Sequence, residues 1–117
     1  MGDSNDIAYE AVLHKEGKVE IFRTDDEGEY LRFCLEQYLL DYRVAAEVKV
    51  EPLEDRWFRI EVTFLPAGDA EFKSDVYDDL SNAFTGKGWY EHRKSGGTDD
   101  GSALWFVVRH DRGCPVI

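Results

Sequence analysis

The stretch Arg56-Trp57-Phe58-Arg59-Ile60-Glu61-Val62-Thr63-Phe64-Leu65 constrains the fold more than any other part of this chain. Phe58, Ile60, Val62 and Phe64 fall on one side of a period-two pattern. Trp57, Arg59, Glu61 and Thr63 fall on the other. Nothing inside the stretch breaks a strand. Its own chemistry therefore predicts a central strand of an antiparallel sheet, with a buried inner face and a partly polar outer one.

The flanking segments supply the rest of such a sheet. Upstream, Val44 to Glu51 alternates again, with Val44, Ala46, Val48 and Val50 inward, and Pro52-Leu53-Glu54-Asp55 forms the connecting loop. Residues 7–14 and 19–23 read as a first hairpin, closed by Lys15-Glu16-Gly17-Lys18, where Gly17 suits a left-handed backbone. Trp89 to Arg93 and Ala103 to His110 read as a last pair of strands, joined by a long loop over residues 94–102. Two helices lie between these pairs. Thr24-Asp25-Asp26-Glu27 matches a capping box opening a helix to about Arg43, with Leu31, Cys34, Leu35, Tyr38 and Tyr42 as its apolar stripe. Asp69 is the expected N-cap of the second, whose stripe is Phe72, Val76, Leu80, Ala83 and Phe84, ended by Gly86 and Gly88.

The resulting expectation is an α+β fold of order ββαββαββ. An antiparallel sheet of about six strands carries two helices packed on one face. A chain of 117 residues makes one such domain, assigned to residues 7–111, with a disordered start at 1–6 and a C-terminal tail at 112–117. Tyr30, Cys34, Tyr38 and Tyr42 stand forty-two positions before Phe72, Val76, Leu80 and Phe84, a faint echo of duplication that two amphipathic helices also produce by chance.

Charge narrows the partners. Acids outnumber bases 25 to 14, a net charge of -11, so neither direct nucleic-acid binding nor binding to an anionic membrane is expected. The surplus serves solubility, or faces a basic protein, or imitates a nucleic acid towards a protein that binds one. No run is apolar and long enough for a membrane span, and the first residues do not resemble a secretory signal; a cytoplasmic location is the expectation. Cys34 and Cys114 have neither metal nor redox spacing, and Cys34 on its helical stripe reads as a small buried hydrophobe.

Motifs for catalysis are absent. No GxSxG elbow occurs, and Gly86-Lys87-Gly88 and Ser95-Gly96-Gly97 lack phosphate-loop spacing. His14, His92 and His110 sit near strand ends with no HxH or HxxxH spacing, so no metal or other cofactor is expected. Asp99-Asp100-Gly101-Ser102 resembles a calcium loop only in its first residues and reads as a polar turn. The ending Cys114-Pro115-Val116-Ile117 has the outline of a prenylation box without a polybasic run before it.

Two surface constellations remain. Trp57, Trp89 and Trp105 each precede a residue assigned to the core, so alternation turns them to the outer face, together with Arg59, Arg93 and Arg109. Trp and Arg are the residue types that anchor protein interfaces. The second helix presents Glu71, Asp75, Asp78 and Asp79 away from its apolar stripe. The expected function is a small acidic interaction module, an inhibitor, immunity-type or regulatory factor, using the Trp/Arg face or the acidic helix. An enzyme or small-ligand binder on the same sheet face, and a homodimer joined through it, are the alternatives.

Overall fold

The computed structural model describes residues 9–65 and 70–117. Its elements run β1 (Tyr9–Lys15), β2 (Lys18–Thr24), α1 (Glu27–Asp41), β3 (Ala46–Pro52), β4 (Phe58–Phe64), α2 (Ala70–Thr85), β5 (Tyr90–Gly97) and β6 (Ala103–His110). This is the expected α+β order. The expected N-cap Asp69 and the segments 1–6 and 66–68 lie outside the described residues, as do the side chains of Glu71 and Phe72.

The six strands divide between two antiparallel sheets. β3-β4-β6-β5 form one, and β1-β2 stand apart as a hairpin. Helix α1 explains the division, because its apolar residues are not confined to one stripe. Leu31, Leu35 and Leu39 are fully buried towards the four-stranded sheet. On another side, Phe33 stacks on Phe22 with ring centroids 4.0 Å apart, and Tyr30 stacks on Tyr9 at 5.1 Å. A helix apolar on two sides needs cover on both. The hairpin supplies the second cover instead of extending the larger sheet.

Strand β4 carries the pattern expected of it. Phe58, Ile60, Val62 and Phe64 are buried, while Arg59, Glu61 and Thr63 between them are half-exposed. It pairs with β3 on one side and β6 on the other. Both helices lie on the inner face of this sheet. Val76, Leu80 and Phe84 of α2 join the α1 leucines in one core with Val48, Leu104, Phe106, Val108 and Tyr90. The forty-two-residue echo aligns unlike positions: the sheet-facing stripe of α1 is Leu31/Leu35/Leu39, one residue beyond Tyr30/Cys34/Tyr38.

Three local expectations are corrected. The cap of α1 is Asp26, whose carboxylate accepts from the Glu29 backbone N–H at 3.2 Å. Thr24 is held in β2 opposite Tyr9, so its hydroxyl instead accepts from the Asp26 N–H and donates to the Glu29 carboxylate. Strand β5 continues to Gly97 through a bulge at His92/Lys94, shortening the loop after it. Residues 112–117 do not trail away. Val116 is 6% exposed within the core, Ile117 packs against it, and the Val116 carbonyl accepts from the buried Tyr90 hydroxyl at 2.9 Å.

Candidate functional site

Among the described residues no helix lies over the outer face of the four-stranded sheet, and β4, β5 and β6 place its side chains. In register, Arg59 lies beside Val107 and Val107 beside Lys94; one row along, Glu61 lies beside Trp105 and Trp105 beside Gly96. The missing side chain at Gly96 makes room for the indole: a Cβ there would stand 2.9 Å from Trp105 Cζ2. Trp57 enters the same face just before β4. The β5 bulge supplies the last member, since it inserts Arg93 as an extra residue between His92 and Lys94.

Each arginine of the face stacks on a tryptophan and pairs with an acid. Arg59 lies 5.1 Å from the Trp105 ring and 3.5 Å from Glu61. Arg93 and Arg109 share Trp57, at 4.1 and 5.3 Å. Arg93 also pairs with Glu54 at 3.2 Å, and Arg109 with Glu91 at 2.6 Å. The arginine side chains keep 37%, 44% and 33% of their surface open, in the order Arg59, Arg93, Arg109. Beneath this layer Val107 faces outward by alternation and yet is 2% exposed. The guanidiniums and indoles therefore form a lid over the outer side of β6 as well as a surface.

Trp89 does not join them. It precedes β5, is half-buried against the core, and carries Lys87 over its ring at 4.6 Å. The acidic helix is also subdivided. Asp75 and Asp78 are exposed, but Asp79 accepts a 2.7 Å hydrogen bond from the Tyr38 hydroxyl and ties α2 to α1.

A second polar constellation is not apparent from local patterning. Glu27, at the first turn of α1, is buried and receives two hydrogen bonds from the Arg56 guanidinium, at 3.0 and 2.8 Å. The same guanidinium donates to the His110 carbonyl at 2.9 Å. Arg56 and Asp55 sit in the β3–β4 turn with φ of 66° and 56°, a left-handed pair closed by the Trp57 N–H on the Glu54 carbonyl. Non-glycine residues hold such a conformation only when their surroundings fix it, and the Glu27 contact does so here. His110 is 4% exposed. Its Nε2 donates to the Cys114 carbonyl at 2.9 Å, which leaves Nδ1 buried with no partner among the described residues. A cavity of about 510 Å³ opens between Arg56, Arg109 and Arg112. Arg56 and Arg109 are bonded to the carboxylates of Glu27 and Glu91, while Arg112 donates to the uncharged Tyr9 hydroxyl.

The remaining motif residues have structural work. In the turn after β5, Asp100 accepts from the Ser102 N–H at 3.0 Å and the Thr98 hydroxyl at 2.8 Å. Hydrogen bonding by Ser102, then Thr98, holds its carboxyl down to about 2, and both bonds to Oδ1 serve turn closure. His92 meets the Ser95 hydroxyl at 3.0 Å, and no group of three metal-ligating side chains occurs among the described residues. Cys34 is half-buried against the core, where burial pushes its thiol up from the ordinary value. No helix among the described residues is long and apolar enough to cross a membrane. Set against known proteins, the chain matches no family model, no curated protein and no solved structure.

Proposed function

We propose that this chain is an interaction module that binds another protein through the outer face of its four-stranded sheet. The observation that carries the reading is the set of Trp57 and Trp105 held under Arg59, Arg93 and Arg109 on a face that no helix among the described residues covers. Ordering long side chains on association costs about 0.5–1.5 kcal/mol each. Here the stacking and the glutamate pairs order them before any partner arrives. Amphipathic, pre-ordered Trp and Arg are the side chains that dominate binding energy at protein interfaces.

The glutamates that neutralise the arginines also shape the partner. Glu51 and Glu61 lie beside Arg59, and Glu91 beside Arg109. Lys49 and Lys94 stand on the same face in the two edge strands, so it offers paired charges of both signs around its aromatic rings. That arrangement suits a partner presenting charges of both signs around an apolar or aromatic patch.

The test is affinity capture with the full chain, comparing wild type with Trp57→Ala, Trp105→Ala and the Asp75→Asn/Asp78→Asn double variant, each checked for an unchanged far-ultraviolet spectrum. The expected result is loss of the wild-type partner with both tryptophan variants and its retention with the aspartate variant. Retention by both tryptophan variants, with loss in the aspartate variant, transfers the site to α2 and overturns the reading.

A further inference from the structure

The β1–β2 hairpin has a second face that the described residues leave bare. Its inner face lies on α1 through the Phe22–Phe33 and Tyr9–Tyr30 stacks. On the opposite face Val12, Ile21 and Val19 are 51%, 53% and 60% exposed. They are contiguous, because Val12 lies directly opposite Ile21 and Val19 stands two residues before it on the same strand. A lone two-stranded hairpin is at best marginally stable in water. β-Branched residues suit a strand face that is at least half covered, and three of them exposed side by side form an apolar patch.

We propose that a second copy of this chain covers that face, so that two hairpins meet about a two-fold axis. Charge selects this occupant. The chain carries a net charge of -11, yet its hairpin, residues 9–24, is neutral: Glu10, Glu16 and Glu20 balance Lys15, Lys18 and Arg23. Two copies repel each other over most of their surface and least at their hairpins. A strongly basic partner would favour the acidic surfaces elsewhere over this neutral one.

Register supplies the symmetry. Val12 is the middle residue of Tyr9–Lys15, and Ile21 is the middle residue of Lys18–Thr24. A two-fold through this pair superposes the full length of both strands, as a self-complementary interface requires. With that two-fold in the contact plane and perpendicular to the strands, the Glu10 end of one hairpin meets the His14 end of the other, so the acid of each copy approaches the partner's imidazole edge. Glu10 is already oriented, by a 2.7 Å pair with Arg23. This interface is separate from the outer face of the four-stranded sheet and leaves Trp57 and Trp105 free.

Sedimentation equilibrium of the full chain over roughly micromolar to millimolar concentration reads the outcome directly. Wild type is expected to rise from the 13.5 kDa monomer towards twice that mass. Ile21→Lys, which puts a charge at the axis, is expected to weaken association by at least about 30-fold. Ile21→Thr, which keeps a β-branched strand residue, guards against simple loss of the hairpin and is expected to weaken it less. Ile21→Cys is expected to give a disulfide-linked dimer under mild oxidation that Val48→Cys, at a buried position, does not. Wild type that stays monomeric throughout overturns the proposal. So does a dimer that Ile21→Lys leaves intact while Trp105→Ala dissolves it, because that result moves the contact to the sheet face.

Discussion

Two pairs of residues separate what holds this molecule together from what it presents. Glu27 is 7% exposed in its side chain and Arg56 is 36% exposed, so their bidentate pair is buried on one side only. Removing the acid leaves a partly solvated guanidinium in a strained turn. Glu27→Gln is therefore expected to cost about 1–3 kcal/mol, less than a fully buried pair would. Urea unfolding measures this, and in a double-mutant cycle with Arg56→Leu the two costs are expected not to add. Gly96 and Trp105 form the second pair. A methyl group at Gly96 would stand 2.9 Å from the indole, so Gly96→Ala must displace the ring or the strand. The expected loss is about 1–3 kcal/mol, with a shift in tryptophan emission. In a Trp105→Ala background most of that loss should vanish, since the obstructing atoms are gone.

Among the elements, the strands were the most legible in the sequence, and the physical reason is period. In β4, Phe58, Ile60, Val62 and Phe64 alternate without interruption, and each is buried as the pattern requires. The packing of α2 was legible, since Val76, Leu80, Ala83 and Phe84 of its stripe are buried, whereas α1 has apolar residues on two sides and periodicity does not say which faces the sheet. The outer Trp/Arg face was partly legible. Trp57, Arg59, Arg93, Trp105 and Arg109 followed from alternation, although Arg93 stands there in a bulge that alternation does not show, and Trp89 packs against the core instead. Glu27, Arg56 and His110 come from three distant segments and only a tertiary structure joins them. The end of α1 offers a test at this scale. Val44 and Arg43 donate back to the Leu39 and Leu40 carbonyls, closing a Schellman motif with Arg43 at φ 57°, where glycine is the usual residue. Arg43 is exposed, so its side chain contributes no packing. A left-handed arginine costs about 1–2 kcal/mol and the added freedom of glycine about 0.5–1 kcal/mol. Arg43→Gly is accordingly expected to stabilise the protein by about 0.5–1 kcal/mol, read as a higher urea midpoint at constant slope.

At the scale of the whole molecule, charge and burial limit stability from two directions. With 25 acids against 14 bases the native state repels itself near neutral pH, and the ion pairs of the outer face are too exposed to offset this. Raising ionic strength from about 0.01 M to about 0.5 M is therefore expected to raise the melting temperature; a fall would mean that the Arg–Glu pairs dominate after all. The alkaline limit comes from tyrosine. Burial, and then the hydrogen bond to Asp79, pushes the Tyr38 phenol far above its ordinary 10.0. Burial does the same for Tyr90, the residue that ties Val116 to the core. The neutral phenols are thus favoured by folding, so their folded values lie above their unfolded ones. The stability they contribute is fully present below pH 10.0 and is lost as pH rises from there towards the folded values, because the unfolded chain releases those protons first. Stability measured by urea should then hold through neutral pH and fall steeply above 10.0, with tyrosinate absorbance from these two residues appearing only as the chain unfolds. Tyr90→Phe loses the Val116 hydrogen bond and is less stable at neutral pH, yet its alkaline decline should be shallower than that of wild type. An equal slope in both proteins would place the alkaline transition elsewhere than at Tyr90.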